Sequence, residues 1–153
     1  MPATLLPTHP ARAPQRTTAR LATERTTRVL LVEDEPLTAE VFARALTRDG
    51  HVVEVATDGL RALHLLRDHQ PSLLVLDMSL PTMSGADVVR RIRADGHQRL
   101  PIVVVSGSPR HESSLHDHEL QPGAWVEKPV KPRDLVALVR RFTQASQSGP
   151  QLG

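Results

Sequence analysis

Cysteine is absent from all 153 residues. That excludes disulfides, iron–sulfur clusters, thiolate nucleophiles and cysteine-based zinc sites. No apolar run approaches the roughly 20 residues that a membrane helix requires. The N-terminus also lacks the apolar core of a secretory leader. These absences lead to the expectation of a cytoplasmic protein with no membrane insertion. No Gly-rich phosphate loop follows the first apolar segment, which argues against a nucleotide or dinucleotide cradle. Lysine is scarce, with Lys128 and Lys131 set against 17 arginines.

Charge is unevenly spread. Residues 1–28 carry five arginines and one glutamate, a formal +4, so the rest of the chain holds −2 of the +2 total. Residues 1–27 are rich in Pro, Thr, Ala and Arg and offer little for a core, so they read as a disordered basic extension. From Thr143 onward Ser, Gln, Gly and Pro dominate, and residues 143–153 read as a polar flexible tail. The domain is expected between them, over residues 28–142.

Within that span, strand and helix patterns alternate five times. Val29-Leu30-Leu31-Val32 is a short apolar run, followed by Glu33-Asp34-Glu35-Pro36, with Pro36 suited to the first turn of a helix. Leu37, Val41, Ala45 and Leu46, widened by Phe42 and Ala43, repeat near helical period and predict its buried stripe. His51 to Ala56 reads as a second strand, expected to be buried on both faces. Leu60, Leu63, Leu65 and Leu66 mark the next helix. Leu73-Leu74-Val75-Leu76 runs straight into Asp77. Val88, Val89 and Ile92 mark a third helix, and Ile102 to Val105 is β-branched throughout. Residues 110–121 have only Leu115 and Leu120 as apolar anchors, so a weak helix is expected there. Trp125 to Glu127 is a fifth strand, and Leu135, Leu138, Val139 and Phe142 mark the last helix. Such alternation predicts an α/β fold, a doubly wound five-stranded parallel sheet with helices on both faces.

Chemistry gathers at the strand ends. Glu33, Asp34 and Asp77 converge if the first and third strands are neighbours. Carboxylates placed together repel unless protons or a cation neutralise them. An all-oxygen donor set suits a hard cation such as Mg²⁺. Lys128 ends the fifth strand, where its point charge can meet a phosphoryl oxygen. Ser106 ends the fourth strand and offers a hydroxyl beside the unobstructed Gly107. An aspartate can attack phosphorus when a cation and an ammonium offset the developing charge. Each residue also has a plainer reading. Asp77 can be a turn residue, Asp34 a helix cap, Glu35 a solvated charge, Ser106 a turn hydroxyl and Gly85 a helix entry. His111, His116 and His118 cluster in the weak segment, where solvent-exposed histidines are the simpler reading than a metal site.

Four blocks together resemble the receiver domain of two-component response regulators. They are Val29 to Pro36, Leu76-Asp77-Met78-Ser79-Leu80-Pro81 with Ser84-Gly85, Val105-Ser106-Gly107, and Glu127-Lys128-Pro129. Asp34 lies 43 residues before Asp77, and Lys128 lies 51 after it. The resemblance implies a flavodoxin-like strand order 2-1-3-4-5. It makes Asp77 the phosphoacceptor for a histidine kinase or histidine phosphotransfer protein. It makes Glu33, Asp34, Asp77 and the backbone carbonyl of Ser79 the Mg²⁺ ligands, and Lys128 and Ser106 the partners of the phosphoryl group. Ser106 is also the implied switch hydroxyl. Trp125 falls where the family usually has Tyr or Phe as the rotameric partner of that switch, and the Lys128–Pro129 bond is expected to be cis.

Eleven residues after Phe142 cannot hold a DNA-binding domain, so a single-domain signalling protein is expected, a monomer or weak homodimer and not an enzyme beyond its own phosphotransfer and dephosphorylation. Nucleic acid is not an expected partner, because the globule is slightly acidic and the basic arm has no interleaved aromatics. A regulator that uses that arm on nucleic acid, a small Asp/Mg²⁺ hydrolase and a phosphorylation-inactive binding module remain the competing readings.

Overall fold

Every residue of Leu73–Asp77 is buried, as a continuous apolar run demands of a central strand covered on both faces. The computed structural model describes residues 27–147. The basic extension, Thr27 apart, and the last six residues of the expected tail lie outside the described residues. Five strands, β1 (Arg28–Val32), β2 (Val52–Ala56), β3 (Leu73–Asp77), β4 (Ile102–Ser106) and β5 (Gly123–Glu127), pair in parallel in the order β2-β1-β3-β4-β5. Helices α1 (Pro36–Arg48), α2 (Gly59–His69), α3 (Gly85–Ala94), α4 (Asp117–Leu120) and α5 (Pro132–Gln147) connect and follow them. This is the flavodoxin-like order. Its direction reverses between β1 and β3, where open α/β sheets leave a crevice at their carboxyl ends.

Alternating strand residues build two cores. Val29, Leu31, Val75, Val103 and Val105 pack against Phe42 and Leu46 of α1 and Leu135 and Val139 of α5. Leu30, Val32, Leu74, Leu76 and Val104 face Leu65 and Leu66 of α2, Val88, Val89 and Ile92 of α3, and Leu115 and Leu120.

Three expectations are corrected here. On α1, Leu37 and Val41 are 71% and 51% exposed, and the buried face is Ala39, Phe42 and Leu46. Periodicity fixes the angle between residues but not which stripe turns inward. Phe42 has more apolar area to remove from water than Val41. Strand β2 is not buried on both faces, since Val52 and Val55 are exposed. It is an edge strand with one neighbour. The polar tail does not begin at Thr143, because α5 continues to Gln147. Thr143 is buried there, and its hydroxyl donates to the Val139 carbonyl at 3.0 Å, so its polar group is satisfied within the helix.

Residues 110–121 form a 3₁₀ turn (Arg110–Glu112) and the four-residue α4. Apolar anchoring is confined to Leu115 and Leu120. Two arginines of α3 supply much of the remaining hold. Arg90 Nε donates to Glu119 Oε1 at 3.1 Å, and Arg90 Nη2 to the Ser114 carbonyl at 2.7 Å. Arg93 is buried and donates to the carbonyls of His97 (2.7 Å), Leu100 (2.8 Å), Glu119 (2.9 Å), Leu120 (3.3 Å) and Pro122 (3.4 Å). The sequence reading gave Arg93 no role. Its place four residues after Val89 and one after Ile92 puts it on the inward face, which was the available signal.

Candidate functional site

Strands β1 and β3 end side by side, with Val32 opposite Leu76 in register. The residues that follow them therefore share one crevice. Oxygens of Glu33, Asp34 and Asp77 all lie within 4.8 Å of one another. Glu33 and Asp77 are buried and Asp34 is exposed. Lys128, at the end of β5, reaches across with Nζ 2.9 Å from Asp77 Oδ2. The Ser79 amide donates to Asp77 Oδ1 at 2.8 Å. Both oxygens of Asp77 are thus held, and its orientation is set by the loop that follows it.

The electrostatics are lopsided. Burial, and next the charge of Asp77, push the Glu33 carboxyl up to about 7, although the Glu35 amide donating to its Oε1 at 3.2 Å works the other way. Burial acts to lower the Lys128 pKa, but the hydrogen bond and charge of Asp77, with Glu33 and Asp34 beyond, leave it raised. One ammonium does not balance three carboxylates. A compact group of hard oxygen donors with surplus negative charge fits a divalent cation of the Mg²⁺ kind.

Glu35, read from sequence as a solvated charge, caps α1. Its Oε1 accepts from Leu37 N at 3.1 Å and its Oε2 from Thr38 N at 2.6 Å. A hydrogen bond from the Thr38 side chain, and next these two amide bonds, lower the Glu35 pKa. Asp34 is therefore not the cap and is left for the crevice. The Lys128–Pro129 bond is cis, as the resemblance implied, and Gln121–Pro122 is cis as well.

Ser106 joins the site through the backbone. Its carbonyl accepts the Lys128 amide at 2.7 Å, while its buried hydroxyl accepts from Ser108 N at 3.1 Å. Ser79 enters through its amide. The Trp125 indole N–H donates to the Ser108 carbonyl at 3.2 Å. The rings of His116 and His118 stack, but Glu33, Asp34 and Asp77 are the one such metal-ligating group among the described residues.

Gly85 does more than open a helix. A Cβ there would stand 2.7 Å from Met78 Cα and 2.9 Å from the Asp77 carbonyl oxygen. The missing side chain lets α3 start directly against the residue pair that carries the central carboxylate. Gly85→Ala is expected to lower stability by about 2 kcal/mol, as overpacking does. Denaturant titration checks this, and unchanged stability would mean that the loop yields.

Fold and site together define a flavodoxin-like α/β domain with an acidic crevice countered by one lysine. A family model described as the response regulator receiver domain matches residues 29–140. The DNA-binding response regulator MtrA of Mycolicibacterium smegmatis is 36% identical over 123 residues, 80% of this chain and 53% of that protein. The transcriptional regulatory protein CusR of Escherichia coli is 34% identical over 113 residues, 74% of this chain and 49% of that one. Among solved structures, a CheY-like response regulator receiver domain protein from Methanospirillum hungatei superposes with a TM-score of 0.72, covering 81% of this chain and 99% of the other. Its sequence identity of 23% makes that a likeness of fold. The chain belongs to the response regulator receiver domain family of two-component systems. It spans about half the length of the curated relatives it matches.

These relatives correct the expectation that set nucleic acid aside as a partner, because MtrA is a DNA-binding response regulator. The expectation rested on the charge and aromatic content of the 153 residues. A charge argument reaches only the surface it counts, and about half of each relative lies outside the match. Among the described residues, no helix is long and apolar enough to cross a membrane.

Proposed function

We propose that this domain is a phosphoacceptor, with Asp77 taking a phosphoryl group from the phosphohistidine of a kinase or phosphotransfer protein. The observation that carries the reading is Asp77 itself: a buried carboxylate at the sheet's switch point, oriented by the Ser79 amide and paired with Lys128. A carboxylate oxygen of Asp77 attacks phosphorus and forms an O–P bond. The P–N bond breaks, and the donor's imidazole leaves neutral with that electron pair, its other nitrogen keeping its proton. Lys128 moves its charge from Asp77 Oδ2 toward a phosphoryl oxygen, and the Ser106 hydroxyl turns to donate to another. Glu33, Asp34, Asp77 and the Ser79 carbonyl are the groups that would hold Mg²⁺, which when bound supplies further neutralisation of the phosphoryl oxygens. Met78 and Ser79 place no acid–base side chain beside Asp77, which favours a persisting acyl phosphate over turnover. The names of the relatives support control at DNA as the eventual output.

Incubation with Mg²⁺ and acetyl phosphate, read by intact mass, tests this. One added phosphoryl group mapping to Asp77 is expected. No addition from acetyl phosphate or from phosphorylated histidine kinases would overturn the reading.

Cation binding should depend steeply on pH. Glu33, with a pKa of about 7, must lose its proton before it can act as a ligand. Competition by one proton predicts an affinity for Mg²⁺ about 30-fold weaker at pH 5.5 than at pH 8. Calorimetric titration at the two pH values measures it, and equal affinities would remove Glu33 from the ligand set.

A further inference from the structure

Charge is divided across the sheet. The carboxyl edge holds the acidic crevice, and the amino edge, where the strands begin, is basic. Arg28 opens β1 there, flanked by Val52 and Ser72. The Val52 amide donates to the Thr27 carbonyl at 2.9 Å, and the Ser72 amide to the Arg28 carbonyl at 2.8 Å. Helices α1 and α2 lead back to this edge and carry Arg48 and Arg67 in their last turns. Arg99 lies in the connection from α3 to β4. On α5, Arg140 Nε meets Asp49 Oδ2 at the end of α1 at 2.8 Å, which sets Arg141 at the same level.

Arg28, Arg48, Arg67, Arg99 and Arg141 are all exposed, and none has an ion pair among the described residues. Of the acids at this edge, Asp49 is held by Arg140 and Asp95 by Arg91, which leaves Asp68. Five unpaired arginines less one aspartate give a surplus of +4. Arg48 and Arg67 have a plain reason for their positions, because a cation suits a helix C-terminus. That reason does not reach Arg28 at a strand start, Arg99 in a loop or Arg141 six residues before the end of α5. The basic extension joins the domain at the same edge, through Thr27. Residues 1–26 hold Arg12, Arg16, Arg20 and Arg25 against Glu24, a further +3, with no Phe, Trp or Tyr.

We propose that the amino edge and the basic extension together form a second binding surface, for the phosphate backbone of a nucleic-acid duplex. The inference does not rest on the phosphoacceptor reading. Guanidinium groups match phosphate oxygens in a bidentate fashion. The extension has no aromatic to stack on bases, so the contact is with the backbone, and a duplex is favoured over a single strand. Five strands at a spacing of about 4.8 Å make an edge roughly 20 Å long, more than half of one duplex turn of about 34 Å. Residues 1–26 reach at most about 85 Å, enough to follow the duplex beyond the edge. Anionic lipid also presents phosphate, but the extension has no aromatic side chain to seat in a bilayer interface. The crevice lies a strand length away, about 17 Å, against a screening length of about 8 Å. A duplex on the amino edge therefore leaves the crevice open.

Fluorescence anisotropy of a labelled DNA duplex of about 20 base pairs, titrated with the full chain between about 50 and 200 mM NaCl, tests this. Binding near 10⁻⁵ M and indifferent to sequence is expected, with a log–log salt slope of about −0.9 for each phosphate engaged. Arg28→Gln, Arg99→Gln and Arg141→Gln together should flatten that slope by about 2.7. Arg12, Arg16, Arg20 and Arg25 changed together to Gln should flatten it by about 3.6. The same loss of three charges at the carboxyl edge, by Arg61→Gln, Lys131→Gln and Arg133→Gln, should move it by less than about 0.5. All six of these domain side chains are exposed, so the fold is retained in both triple variants. Equal flattening by the two triple variants overturns the edge, since net charge alone would then govern binding. An unmoved slope in the Arg28, Arg99 and Arg141 variant overturns it too. No binding at the lowest salt overturns the proposal, as does equal binding to vesicles of phosphatidylserine and phosphatidylcholine.

Discussion

Asp77→Asn should abolish labelling by acetyl phosphate altogether and, in the absence of metal, make the domain less sensitive to rising pH. The first effect follows from chemistry, because an amide is no nucleophile toward phosphorus at neutral pH. The second follows from linkage. A carboxyl whose folded-state pKa lies above its unfolded value binds its proton more tightly when folded. Ionising Glu33 therefore subtracts stability as pH rises from about 4.5 to about 7, and that loss is absent below the window. Burial is the larger cause and stays in the variant. The charge of Asp77 is the next cause and disappears, so the loss should shrink without vanishing. Thermal unfolding of both proteins in a chelator at pH 5 and pH 8 measures it. Wild type should lose more between the two pH values than Asp77→Asn. Identical losses would show that the two carboxylates do not feel each other.

Arg93→Met should cost about 3 kcal/mol of stability, lowering the unfolding midpoint by roughly 10 °C. A buried guanidinium is expensive to desolvate, and replacing a buried ion pair with apolar groups is often harmless. Arg93 differs because its acceptors are main-chain carbonyls, which the substitution cannot remove. They belong to the 97–100 loop after α3, to α4 and to the approach to β5, all within reach of one planar fork of donors. Methionine fills some of the volume and leaves those carbonyls without their donor. Lysine restores a charge but not the fork, so Arg93→Lys should recover only part of the loss. Denaturant unfolding gives the number, and a cost below about 0.5 kcal/mol would mean that water replaces the guanidinium.

The carboxylate site was legible because its members end strands. Asp77 and Glu33 directly follow apolar runs, Asp34 and Lys128 lie one residue further on, and once strands are parallel their ends must lie along one edge. The resemblance then supplied the neighbour relation of β1 and β3 that residue patterns left conditional. Less legible were residues whose role depends on what another segment brings. Gly85 read as a helix entry because nothing local shows that Met78 and Asp77 will press against it. Glu35 read as a surface charge, though its two oxygens close the first turn of α1. Leu37 and Val41 matched the helical period as well as the buried stripe did, and only the direction of the sheet separates the two.

The alternation of apolar runs with amphipathic stretches determined by itself that the chain is a doubly wound α/β domain, because each face of such a sheet must be covered by what lies between its strands. The acidic strand ends and the lone lysine near them likewise set the kind of chemistry that one edge can support. Tertiary structure alone decided how tightly that chemistry is poised and how residues 107–121 attach to it. Burial of Glu33 beside Asp77, the five carbonyls around Arg93 and the series from Ser106 through Ser108 to Trp125 are long-range juxtapositions. Desolvation, hydrogen bonding and packing act between groups that meet in space, and distance along the chain does not encode those meetings.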